Sequence, residues 1–136
     1  FGNLLEVESA VLYVSRETGV DMYGNATLIN KEGIVCQLSF GFDNYYQCNY
    51  EFWGSKGTLV AKKAFTPKPE ENPLVLIETA SENKKVELDQ DNHFVKILRA
   101  FYTNIKSGNH QYALNEILAQ SLLLDQIRNK AKIFYI

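Results

Sequence analysis

Few residues in this sequence combine a reactive type with the neighbours that chemistry requires. Histidine titrates nearest neutral pH, and the chain has two, His93 and His110. Each opens a helix-like segment and neither is paired with a nucleophile, so both read as solvated or partly packed side chains. Cys36 and Cys48 lie in apolar, strand-like runs, whereas a metal site requires several ligands at short spacing. They read as buried thiols in a reduced compartment, and a disulfide stays open if a hairpin brings the two together. The acids Glu70, Glu71, Asp89 and Asp91 lie in polar segments, where carboxylates keep ordinary acidity. Gly54-Ser55-Lys56-Gly57 has the glycines of a phosphate loop, but it joins two strand-like runs and opens no helix. It reads as a hairpin turn. These residues assign no catalytic group, no cofactor site and no metal site to the chain.

The elements that would position any site follow from hydrophobic period. Segments 4–15, 23–30, 34–42, 47–53, 58–65, 74–79 and 85–88 are strand-like, and polar or glycine-bearing turns separate them. Lys31-Glu32-Gly33 forms one tight turn, with a glycine that can take positive φ. Asp43-Asn44-Tyr45-Tyr46 reverses the chain between the third and fourth strands, and a proline-marked loop spans residues 66–73. Short strands in this order imply an antiparallel meander.

The period then changes. Phe94, Ile97, Leu98, Phe101 and Ile105 recur at helical spacing, with Asp91 or Asn92 placed to cap the start and Gly108 the end. A second helix is predicted over 110–130, with Leu114, Ile117, Leu118, Ser121, Leu122 and Asp125 as its repeating faces and Arg128 and Lys130 near its negative end. The fold class is therefore α+β: a predominantly antiparallel open sheet with C-terminal helices packed on one face. Strand residues 35–40 and 50–53 carry apolar side chains at both parities. The open face is expected to pair with another subunit about a two-fold axis, the alternative being cover by long side chains and the proline loop.

Composition bounds the partners. The 136 residues, 46% of them hydrophobic, suit one domain (1–136) with its own core. A net charge of -2 with interleaved signs supplies no basic stripe for nucleic acid. No apolar run approaches the roughly 20 residues that cross a bilayer, and no signal peptide opens the chain, so a cytoplasmic protein without a membrane partner is expected. The chain begins Phe1-Gly2-Asn3 without an initiator methionine, which reads as a cut edge; proteolytic maturation or a recombinant boundary would give the same start.

Four stretches in order resemble a known family. Ala26-Thr27-Leu28-Ile29-Asn30-Lys31-Glu32-Gly33 is similar to its strand ending in an acidic-glycine turn, and Glu51-Phe52-Trp53-Gly54-Ser55-Lys56-Gly57-Thr58-Leu59 to its strand, G-x-x-G turn and following strand. His93-Phe94-Val95-Lys96-Ile97-Leu98-Arg99-Ala100-Phe101 resembles the helix that returns onto the sheet, and residues 113–131 resemble the last helix. Together they identify a resemblance to the C-terminal domain of the glucose-fructose oxidoreductase and inositol dehydrogenase (Gfo/Idh/MocA) family.

The resemblance implies a parent that transfers hydride between NAD or NADP and a sugar, sugar nucleotide or cyclitol. It places the Rossmann domain, with its catalytic lysine, and the helix bearing the family's Asp and His ahead of Phe1. This chain would then hold no cofactor and be inactive alone, supplying substrate contact and homo-oligomer association. Carried over, the sugar-contacting turn corresponds to Asn44, Tyr45 and Tyr46, with Tyr46 at the best-matching offset from Gly54. A carbohydrate-like ligand suits side chains that join an apolar plate to a polar tip. The alternatives are that these tyrosines are turn residues with wet hydroxyls, and that the chain is a non-catalytic α+β association or ligand-binding module.

Overall fold

Turn chemistry and capping divide the described residues into ten elements, in order β1 (Leu5–Val14), β2 (Asp21–Asn30), β3 (Val35–Gly41), β4 (Tyr50–Gly54), β5 (Gly57–Ala61), β6 (Leu74–Thr79), β7 (Asn83–Glu87), α1 (His93–Ser107), α2 (Gln111–Lys130) and β8 (Ala131–Tyr135). The computed structural model describes residues 5–65, 67–108 and 110–136. Phe1-Gly2-Asn3, Leu4 of the first expected strand and Thr66 of the proline loop lie outside the described residues. The fold is α+β with antiparallel-rich sheets and two late helices, as the sequence implies. Its strands, however, divide between two four-stranded sheets, each in its own compact unit.

The first unit holds β1, β2, β3, α2 and β8, with strand order β3-β2-β1-β8. β1, β2 and β3 are antiparallel neighbours, and β8 runs parallel to β1. At the β2–β3 turn the Asn30 Oδ1 accepts from the backbone N–H of Glu32 (3.0 Å) and of Ile34 (2.8 Å), an Asx-type closure of the turn. Val7, Ala10, Ala26 and Leu28 form the core, and Leu123 and Ile127 of α2 pack on it. A register shift between Val7 and Ser9 marks a β-bulge in β1. There the Lys130 Nζ donates to the Val7 carbonyl at 2.6 Å and ties the end of α2 to the strand.

The side of α2 that meets the sheet differs from the stripe read in the sequence. Leu123 and Ile127 are half-buried against the core, whereas Leu114, Ile117, Leu118 and Leu122 are exposed. β8 was not anticipated at all, because five residues that follow a helix with no turn signal carry no period of their own. It exists because Ala131 leaves the helix in extended backbone (φ -67°, ψ 134°) and β1 offers a free edge.

The second unit holds β4 to β7 and α1, with strand order β4-β5-β6-β7 and every pair antiparallel. Gly54 pairs with Gly57, so Gly54-Ser55-Lys56-Gly57 is the hairpin turn expected of it. β5 ends at Ala61, earlier than the strand expected over 58–65, and Lys63 takes φ 53° in the turn beyond. α1 starts where the Asn92 Oδ1 accepts from the Val95 N–H at 3.1 Å and stops at Gly108, whose φ of 66° suits a residue without a Cβ. None of its described side chains is buried. β3 and β4 belong to different sheets and do not pair, so Cys36 and Cys48 are not brought together across a hairpin and no disulfide joins them.

Candidate functional site

The segment from 42 to 49 follows β3 and precedes β4, and it carries all three residues of the expected sugar contact. Its start is fixed by backbone, because the Phe42 N–H donates to the Met22 carbonyl at 2.9 Å. Asn44 then folds back on the end of β3, its side-chain amide occupying the space that a Cβ on Gly41 would need. Only glycine fits at 41 with Asn44 in this place. Tyr45 is 92% exposed and Tyr46 65% exposed, so both rings are presented to solvent from a segment held at both ends, the Cys48 carbonyl accepting from the Ala64 N–H at 2.6 Å. The expected hairpin tip is therefore a connection between two sheets. Such a connection presents aromatic plates with polar tips without the constraint of a two-strand ladder.

A second aromatic feature was missed. Glu51 and Trp53 alternate onto the same side of β4, and the Trp53 indole Nε1–H donates to Glu51 Oε1 at 2.7 Å. Trp53 is 84% exposed, so this hydrogen bond is made by an indole that meets solvent. The signal was present in the i, i+2 spacing of the two residues, which strand periodicity puts on one face. On the opposite side of the same sheet, Phe52, Leu59 and Ile77 form one cross-strand row and Tyr50, Ala61 and Val75 the next.

The open side of the first sheet is of another kind. Tyr13 stacks on Tyr23 at 4.4 Å and on Phe134 at 5.2 Å between ring centroids, a ladder across three neighbouring strands. Next to it run two rows, Ser39, Asn25, Val11 and Lys132, then Gln37, Thr27 and Ser9; Lys132 is charged, and its Nζ lies 5.0 Å from the Phe134 ring centroid.

His93 lies against the Phe94 ring at 4.4 Å, and His110 caps α2 without a side-chain hydrogen bond. Among the described residues no three His, Cys, Asp or Glu side chains converge as a metal site. Glu71 departs from the ordinary acidity expected of it: its side-chain hydrogen bond with Lys63 Nζ, 3.0 Å long, holds the carboxyl below the usual value of 4.5. Asp91 pairs with Lys96 at 2.6 Å beside the start of α1. No described helix is long and apolar enough to cross a membrane.

No family model matches the chain. It is 37% identical over 132 residues, 96% of its length, to the dTDP-3,4-didehydro-2,6-dideoxy-alpha-D-glucose 3-reductase of Actinomadura kijaniata. The 3-reductase of the same name from Saccharopolyspora spinosa is 34% identical over 76% of the chain. Superposition on the solved structure of KijD10, the A. kijaniata 3-ketoreductase in complex with TDP-benzene and NADP, covers 100% of the chain with a TM-score of 0.96 and 36% identity. The chain is a homologue of these 3-ketoreductases. It spans about two fifths of their length, covering 40% of the A. kijaniata reductase and 43% of the solved KijD10 chain. A structure from Erwinia carotovora atroseptica, 10% identical with a TM-score of 0.70, shares the fold alone. The similarity to the 3-ketoreductases takes in both sheets and both helices, so the connection from 42 to 49 and the β4 indole lie inside the matched region.

Proposed function

We propose that this chain is the C-terminal part of a cytoplasmic, NADP-dependent 3-ketoreductase of the Gfo/Idh/MocA type acting on a dTDP-linked keto sugar. The observation that carries this reading is the match along the whole chain to a reductase solved with NADP and TDP-benzene. The residues in hand do not fit the dinucleotide itself. Their glycine turn, Gly54-Ser55-Lys56-Gly57, joins antiparallel strands and opens no helix, so no helix N-terminus meets a pyrophosphate there. The cofactor and the groups that move the hydroxyl proton belong to the remainder of the parent.

The work left to this chain is to bind, orient and associate. Asn44 supplies an amide, and Tyr45 and Tyr46 supply plates with hydroxyl tips, toward a sugar nucleotide. A homo-oligomer forms through the open side of the first sheet, where the Tyr13, Tyr23 and Phe134 ladder supplies an aromatic centre and Ser9, Thr27, Gln37 and Lys132 supply polar surroundings.

The test is steady-state kinetics of the full-length polypeptide in which this sequence occurs, with NADPH and a dTDP-linked 3-keto sugar. Tyr46→Phe is expected to raise KM about tenfold with kcat retained, the pattern of a lost binding contact. Unchanged KM in Tyr46→Phe and in Tyr45→Phe removes the substrate-contact assignment. Tyr13→Lys is expected to convert an oligomer to monomer by light scattering, and a wild-type protein that is monomeric at high concentration removes the association.

A further inference from the structure

α2 carries apolar side chains on two opposite sides at different levels, Leu114 to Leu122 in its first half and Leu123 and Ile127 in its second. At about 100° per residue, Leu123 and Ile127 point to one side of the helix, while Leu114, Ile117, Leu118 and Leu122 centre on the opposite side. The first pair packs on the core of the first sheet. The second set is 49%, 59%, 58% and 53% exposed, respectively. A surface helix with polar residues outward is the ordinary arrangement, and a helix apolar on both sides is one that sits between two layers. We infer that the Leu114, Ile117, Leu118 and Leu122 stripe is the seat of the remainder of the parent polypeptide, so that α2 is the middle layer between this sheet and that remainder.

Three observations choose this occupant over a second copy of the chain. The relatives and the solved 3-ketoreductase contain more than half their length beyond what this chain matches, and the match includes α2. Four half-exposed aliphatic side chains fall short of the ~800 Å² per partner that a stable dimer takes. A covalently connected domain needs less, because connection replaces a bimolecular encounter with a high effective concentration and interfaces within one chain are smaller and more polar. The next turn of the same side carries Asp125 and Arg128, and charged groups at the margin suit the smaller, more polar interfaces found within one chain.

The inference rests on the proposed function, and hydroxyl-radical footprinting of the full-length polypeptide separates the two. Leu114, Ile117, Leu118 and Leu122 are expected to be modified about tenfold more slowly than in the urea-unfolded protein, with the rate unchanged over about a hundredfold dilution. Leu28, buried in the core, reports on the same sample that the fold is intact. Labelling of the stripe at the unfolded rate while Leu28 stays protected overturns the inference. So does protection that disappears on dilution, which assigns the stripe to a second copy. NADPH binding is read on the same sample, and its absence overturns the proposed function whatever the stripe does.

Discussion

The two units of this molecule use their apolar residues differently. In the first, β1 and β2 bury Val7, Ala10, Leu12, Ala26 and Leu28, and α2 closes over that side with Leu123 and Ile127. In the second, Ala61 is the only buried residue among those described, although the rows Phe52-Leu59-Ile77 and Tyr50-Ala61-Val75 are as apolar as the first core. α1 repeats the contrast: Phe94, Ile97, Leu98, Phe101 and Ile105 share one helical stripe and all are more than half exposed. The first unit is a core with a lid, whereas the second is a set of prepared surfaces. Hydrophobic period reports that a face is to be covered and does not report which layer covers it.

Substitutions break this comparison most directly where the burial is deepest. Leu28 is 1% exposed, and Leu28→Ala is expected to cost about 2–5 kcal/mol through lost transfer energy and an unfilled cavity. Leu59→Ala in the half-buried second sheet is expected to cost about 1 kcal/mol. Urea unfolding followed by circular dichroism and by the fluorescence of Trp53, the single tryptophan, measures both. Equal costs would contradict the contrast.

Smaller effects sharpen it. Asn92→Ala removes the acceptor for the Val95 N–H and is expected to cost α1 about 1 kcal/mol, read as lost hydrogen-exchange protection of its first turn. Lys130→Met removes the donor to the Val7 carbonyl at the β1 bulge, with about 1 kcal/mol expected and the change confined to the first unit.

The smallest effect is electrostatic. The hydrogen bond from Lys63 lowers the Glu71 pKa, so its contribution is present above the ordinary carboxylate range and is lost as pH falls through the lowered value. Both side chains meet solvent, so a carboxyl titration by NMR is the measurement, with Lys63→Met expected to return Glu71 upward and stability left unchanged.

Much of the fold was legible because local chemistry and period agreed. Asn92 and Gly108 bracket α1, Asn30 and Gly33 close one turn, and Gly54 to Gly57 close another. The division into two sheets was not legible, because residues 42–49 carry turn chemistry that serves equally for a hairpin and for a crossing between sheets. The covered side of α2 was misread for a related reason: with apolar residues on two sides, the longer stripe drew the reading and the shorter pair, Leu123 and Ile127, does the packing. Of the candidate site, Asn44, Tyr45 and Tyr46 came from resemblance. The indole hydrogen-bonded to Glu51 could have been found from alternation along β4.

The central claim is that this chain is the part of a 3-ketoreductase that carries no cofactor. NADPH fluorescence titration of the 136-residue chain beside the full-length polypeptide tests it most directly. The account predicts saturable binding by the full-length polypeptide and none by the chain alone. Tight binding of NADPH by the isolated chain would contradict it.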